Sequence, residues 1–174
     1  MGDQIIYLID TDVLVAIRKK RDSNNIYNRL IQMAGDGDLK TVRQVFDELE
    51  TFGQAYRFLF THKSKLLVPT EEQFCVAVQE RLEVLKKKAD WLYEQTGSKN
   101  PADPWLVAVA SAYKYVLVTN ESKESPKRIP AACQIPETRC RCISGPHFLY
   151  EVRIVTQINP AHISTSAFFA DPDE

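Results

Sequence analysis

Apolar positions in this chain fall into two kinds of grouping, short unbroken runs and helical stripes. The first run, Ile5-Ile6-Tyr7-Leu8-Ile9, stops at the polar Asp10-Thr11-Asp12. Such a run predicts a strand buried on both faces, the habit of parallel sheets, with Asp10 at its carboxyl end. Val13, Leu14 and Ile17 then open a helix that turns basic in its last turn, where the helix dipole favours cations. A second helix is expected from about Asn24 to Ala34, closed by Gly35-Asp36-Gly37, and Leu39 to Val42 is a short strand. From Gln44 to Phe52 the residues Val45, Leu49 and Phe52 form one helical stripe. Glu48 projects from that stripe, while Asp47 and Glu50 point elsewhere.

Further along, the pattern predicts a helix-like stretch at Ala55 to Phe60, a strand at Leu66-Leu67-Val68, and a long charged helix from about Glu71 to Gln95 capped by Thr70. Gly97-Ser98-Lys99-Asn100-Pro101 is a loop. Asp103-Pro104 then opens a helix with Leu106, Val107, Val109, Ala110 and Tyr113 inside, Asp as cap and Pro in the first turn. A second fully apolar strand, Tyr115-Val116-Leu117-Val118, ends at Thr119-Asn120-Glu121. A short strand at Cys140 to Ile143 and a helix from Phe148 to Val152 come last. Strands alternating with helices predict an α/β/α sandwich around a central, mostly parallel β-sheet. No repeat or linker divides the chain, so one domain is expected over residues 1–158, with a tail at 159–174 that frays.

Composition changes this picture little. The chain of 174 residues is 44% hydrophobic and 26% charged, the balance of an ordinary globular domain. Its apolar runs are too short to span a membrane and its start lacks a secretory pattern, so a cytoplasmic location is expected. The four cysteines, Cys75, Cys133, Cys140 and Cys142, form no C-x-x-C pair and read as reduced thiols. A net charge of −1 excludes a simple polycationic nucleic-acid binder. Basic clusters at 18–21, at 86–88, and at Lys123 with Lys127-Arg128 leave room for local phosphate contact, although each is by default a solvated face. Trp91, Trp105 and Tyr113 read as core aromatics rather than base platforms.

Candidate chemistry comes from the acids. Sites in open parallel sheets form outside the carboxyl ends of the strands, where Asp10 and Glu121 both fall. Asp103 heads the helix leading to the second of those strands, and Glu48 sits on an apolar stripe where an unpaired carboxylate is costly. Acids gathered without basic partners repel one another, and Mg²⁺ or Mn²⁺ relieves that repulsion while keeping waters in its shell. Such an ion suits phosphodiester hydrolysis. Each acid also has a purely structural reading. Asp10 and Asp103 are good helix caps, Glu48 can pair with a Lys or Arg, and Glu121 can be loop surface.

The residues Tyr7-Leu8-Ile9-Asp10-Thr11-Asp12-Val13-Leu14, Val45-Phe46-Asp47-Glu48-Leu49, Ala102-Asp103-Pro104-Trp105-Leu106-Val107-Ala108-Val109-Ala110 and Leu117-Val118-Thr119-Asn120-Glu121 resemble, in order, the motifs of the PIN domain, within it the sequences grouped around bacterial toxin-type nucleases. The resemblance spans about residues 5–121. It implies a divalent-metal endoribonuclease acting on RNA, single-stranded by expectation, with Asp10, Glu48, Asp103 and Glu121 as catalytic metal ligands. Asp12 stands where the family more often has a small polar residue, so it is a further ligand or a supporting acid. Glu121 stands where Asp is more usual. Thr119 and Asn120 are placed behind the ligands, Thr119 as a hydroxyl near the metal. Relatives include toxins of type II toxin–antitoxin pairs, which implies a small antitoxin partner; a homodimer is left open.

Two other readings stay in play. Asp10-Thr11-Asp12-Val13-Leu14 also matches the opening motif of haloacid-dehalogenase-type phosphatases, with Asp10 as nucleophile, Asp12 as acid/base and Lys123 or Lys127 as the lysine. That scheme needs a later strand ending in an acidic pair, and no acid after Glu121 follows an apolar strand. The second reading is a non-catalytic PIN scaffold that binds through the fold without cleaving.

Overall fold

A computed structural model describes residues 4–94 and 99–156. Both long apolar runs form strands, β1 (Tyr7–Ile9) and β3 (Val116–Val118), every residue of which is buried. With β2 (Leu39–Lys40) and β4 (Cys142–Ile143) they form one sheet in the order β2-β1-β3-β4. All three pairings are parallel, so the sheet is wholly rather than mostly parallel. Tyr7 lies opposite Leu39 on one side and Val116 on the other, and Leu117 opposite Cys142. This register brings the residues that follow β1 and β3 to the same edge of the sheet, because parallel strands end on the same side.

The connections are helical: α1 (Thr11–Arg18), α2 (Ser23–Asp36), α3 (Arg43–Glu50), α4 (Arg57–Thr61), α5 (Lys63–Leu66), α6 (Thr70–Gln73), α7 (Val76–Lys88), α8 (Ala102–Tyr113), α9 (Ile129–Ala132) and α10 (Gly145–Glu151). Short 3-10 turns lie at Gly53–Tyr56, Asp90–Tyr93 and Pro136–Thr138. Helix α2 runs through Gly35 and ends where Gly37 takes a left-handed φ of 87°, a conformation that suits glycine. Helix α10 starts three residues ahead of the expected Phe148, because the Ser144 side chain caps it by accepting from His147 N at 3.2 Å. Among the described residues no helix is long and apolar enough to cross a membrane.

Four expectations are corrected. The helix predicted from Glu71 to Gln95 is broken into α6, α7 and the turn Asp90–Tyr93; Gln95 lies outside the described residues. A tertiary contact accompanies the first break. Gln73 is buried, donates from Nε2 to Gln44 Oε1 at 2.9 Å and accepts from Arg43 N at 3.2 Å, which ties the end of α6 to the start of α3. Thr70 is the first residue of α6 rather than its cap. Leu66–Val68 is not a strand: α5 ends at Leu66, and Leu67 makes only an isolated parallel bridge to Thr41 beyond the end of β2. Phe52 lies past the end of α3 and is half exposed, packed edge-on against Tyr56, while Gln44, Val45, Phe46 and Leu49 form the helix's buried face. The boundary near residue 158 and the tail at 159–174 lie outside the described residues.

Gln73→Leu is expected to destabilise the protein by about 1–3 kcal/mol, because Gln44 would be left buried without its partner and the part-buried Arg43 N–H would lose its acceptor. Urea unfolding checks this, and an unchanged midpoint would remove Gln73 from the account of the break.

Candidate functional site

Outside the carboxyl ends of β1 and β3 lies a cleft of about 560 Å³ lined by Asp10, Thr11, Asp12, Lys19, Asp47, Glu48, Asn100, Asp103, Glu121 and Arg128, with Val15, Ala16, Thr51 and Phe52 completing its wall. Five acids singled out from the sequence therefore face one space. They come from four places in the chain: the β1–α1 junction, α3, the start of α8, and the segment after β3.

Asp10 is buried and is held from several sides. Its backbone N–H continues the sheet pairing to Val118 O at 3.0 Å. One carboxylate oxygen accepts from Thr11 N at 2.6 Å, capping α1, and the other accepts from Thr119 Oγ1 at 2.9 Å. Capping and membership of the acidic group are thus not alternatives at this residue. Asp12 accepts from Asn120 N at 3.0 and 3.2 Å and from Thr119 Oγ1 at 3.3 Å. Thr119, wholly buried, stands behind both aspartates, and Asn120 turns its Oδ1 to Gly145 N at 2.9 Å. A side chain at position 145 would meet that oxygen at 2.6 Å, so the approach depends on glycine.

Asp103 departs from its expected role as a cap. Helix α8 begins one residue earlier, at Ala102, and Asp103 is its second residue, with Pro104 the third. The free N–H of Ala102 is instead taken by Glu48 Oε1 at 3.0 Å, while Thr11 Oγ1 donates to Glu48 Oε2. A carboxylate 54 positions away thus serves the start of α8 and leaves Asp103 facing the cleft. Glu121 is not bare loop surface. It accepts from Ile129 N at 2.7 Å and from Arg128 at 3.2 Å, tying the segment after β3 to the start of α9.

The electrostatics follow from burial and proximity. Asp10 holds its proton far above the ordinary carboxylate range, first because it is buried and then because Asp12 and Asp103 are close. Burial pushes Asp103 up to about 7, with Glu121, Glu48 and Asp12 adding repulsion and Arg128 opposing them. Asp12 and Glu121 are also raised, chiefly by burial, against the hydrogen bonds that favour their charged forms. The donors are all oxygen, and their cost at neutral pH is the cost of like charges in a poorly solvated space. A hard divalent cation fits that chemistry. Even so, no group of three or more Asp, Glu, His or Cys among the described residues is gathered as a ready coordination shell. Glu48 and Glu121 give the physical reason, since both direct their oxygens to backbone N–H groups at helix starts.

Some lining residues were not singled out from the sequence. Thr11 links Glu48 to the β1–α1 junction, and Asp47, expected to point away, lines the cleft from an exposed position on α3. Lys19 and Arg128 belong to two of the three basic clusters, and only the fold distinguishes them from Lys86 and Lys88, which pair with Glu83 and Glu137 elsewhere. The phosphatase reading loses its remaining requirement, because β4 is followed by Ser144 and Gly145 rather than by an acidic pair.

Comparison with known proteins agrees with the architecture. A chain of the crystal structure of VapBC2 from Rickettsia felis, bound to a DNA fragment from their promoter, is similar at a TM-score of 0.51 and 21% identity. The match covers 80% of this chain and 98% of that one, and at such identity the likeness shows the fold. No curated protein matches the sequence. Residues 7–155 match the family described as Domain of unknown function (DUF4411), a match that takes in both central strands and every acid of the cleft. The chain therefore belongs to the DUF4411 family, and its fold is PIN-like.

Proposed function

We propose that this protein is a divalent-metal-dependent endoribonuclease that hydrolyses phosphodiester bonds of single-stranded RNA. The observation that carries the reading is the convergence of Asp10, Asp12, Glu48, Asp103 and Glu121 on one cleft that also presents Lys19 and Arg128. Acids alone would repel a polyanion, whereas acids with cations in the same wall can hold both an ion and a phosphate backbone.

In this reading Asp10, Asp12 and Asp103 hold Mg²⁺ or Mn²⁺, and Glu48 and Glu121 contribute from the positions where they brace the starts of α8 and α9. A bound ion of that kind supplies Lewis-acid stabilisation of the phosphoryl oxygens and a more acidic water for in-line attack. Thr119 fixes the Asp10 carboxylate through its hydroxyl, so that the ligand is oriented before substrate arrives. Lys19 and Arg128 meet substrate phosphates, and Val15, Ala16 and Phe52 give the cleft an apolar side. The PIN-like fold and the likeness to a VapBC complex support a toxin role in the cytoplasm, with a small antitoxin covering the acidic cleft.

The test is incubation of the purified chain, beside Asp10→Asn, with labelled single-stranded RNA in Mn²⁺, Mg²⁺ or EDTA. Metal-dependent cleavage that disappears in the variant is expected. A folded wild-type protein that cuts nothing under any of these conditions would overturn the nuclease reading in favour of a binding scaffold.

A further inference from the structure

Arg128 lines two spaces. One is the acidic cleft; the other is a neighbouring pocket of about 360 Å³ lined by Trp91, Glu94, Ser125, Lys127 and Arg128. The shared arginine makes the second pocket a neighbour of the first. Its chemistry differs: in place of the gathered carboxylates there are an aromatic ring, two cations, a hydroxyl and a single glutamate.

Trp91 is not a core residue here, although its neighbour Leu92 is fully buried. It packs against the core with part of its surface while another part lines the pocket. The turn Asp90–Tyr93 that carries it is seated on α7 and α8, and Asp90 Oδ1 accepts from Trp91 N at 2.9 Å. The ring is therefore held on a fixed element. Arg128 is oriented from the other side by Glu121, which leaves its side chain about half exposed.

We propose that this pocket is a nucleotide subsite: Trp91 stacks on a base flanking the scissile phosphate, and Lys127 and Arg128 hold that nucleotide's phosphate. The inference rests on the nuclease reading for the position of the scissile phosphate. An indole face accepts any base, and a positive partner beside it follows the backbone, the combination by which single strands are bound without base pairing. Duplex substrates are disfavoured, since their bases are stacked on each other and cannot reach the ring. Ser125 offers a hydroxyl to the sugar or phosphate of the same nucleotide.

The experiment uses the full chain in EDTA, where binding is read without cleavage. A short fluorescein-labelled oligoadenylate is titrated by polarisation while tryptophan emission is followed. The oligonucleotide is expected to bind and to quench the emission, with Trp91→Phe keeping most of the affinity but losing the quench. Trp91→Ala and Lys127→Ala are each expected to weaken binding by about tenfold, the size of one lost stacking or phosphate contact. Should Trp91→Ala fail to fold, Lys127→Ala and Trp91→Phe carry the test, because both keep the ring position filled. Unchanged affinity in a folded Trp91→Ala or in Lys127→Ala overturns the subsite, as does a wild-type chain that binds no oligonucleotide. Binding that depends on Trp91 in a protein that never cleaves would overturn the nuclease reading alone. Cleavage by a folded chain whose affinity ignores Trp91 and Lys127 would overturn the subsite alone.

Discussion

Asp103→Asn is expected to lower RNA cleavage by about a thousandfold or more, equivalent to about 4 kcal/mol of lost transition-state stabilisation, while raising the melting temperature of the metal-free protein. The two effects have one origin. Asp103 is buried at the start of α8 among Glu121, Glu48 and Asp12, and that surrounding lifts its pKa to about 7. At neutral pH its charge is therefore unfavourable to folding, and useful only when an ion shares the cleft. Asparagine keeps the shape, removes the charge and cannot replace an anionic ligand. The stabilisation should amount to about 1–3 kcal/mol, a rise of a few degrees in a chain of this size. Were Asp103 simply a helix cap, asparagine, an equally good cap, would leave both stability and activity nearly unchanged; the start of α8 is already served by Glu48 through Ala102 N. Single-turnover cleavage and thermal melts on the same preparation check both halves. A variant that is less stable than its parent, or that cuts at full rate, would sink the assignment.

The same pair of residues marks what could be read from the sequence. The strands β1 and β3 were legible because parallel strands buried on both faces need no polar alternation, and few other elements write Tyr7-Leu8-Ile9 or Val116-Leu117-Val118 without a break. Since both runs end in acids, the sheet edge carrying the cleft was legible too. The role of Glu48 at α8 was not. Its partner, Ala102 N, is a backbone group in a distant element, and nothing local announces that a helix start will be capped from elsewhere. The break between α6 and α7 has the same cause, because a buried Gln73 meets Gln44 and Arg43 only in the folded chain. Sequence pattern likewise left three basic clusters equivalent. Lys19 and Arg128 differ from Lys86 and Lys88 by which face of the fold they occupy, a property of tertiary placement rather than of spacing.

In EDTA the protein is expected to melt at a higher temperature near about pH 5 than near about pH 7.5, and excess Mg²⁺ or Mn²⁺ should narrow that gap. In the folded chain Asp103 titrates at about 7 and Asp10 is raised well above the ordinary carboxylate value of 3.8, so both keep protons that the unfolded chain has already released. Between those limits the folded state binds more protons than the unfolded one. Stability must then fall as pH rises through the window, by up to about 1.4 kcal/mol per pH unit for each group. For Asp103 alone the interval from 3.8 to about 7 sets a ceiling of about 4 kcal/mol, to be reduced for the part of the carboxyl that water reaches. A divalent ion acts in the opposite sense, because it binds the deprotonated acids and competes with protons for them. At about a hundred times its dissociation constant it adds about 2.7 kcal/mol, and that gain is largest where the carboxyls are ionised. Asp103→Asn should flatten both trends. A metal-free protein whose stability climbs steadily from pH 5 to 7.5, or one indifferent to Mg²⁺ and Mn²⁺ throughout, would mean that the cleft acids are not the strained, ion-seeking group their burial makes them.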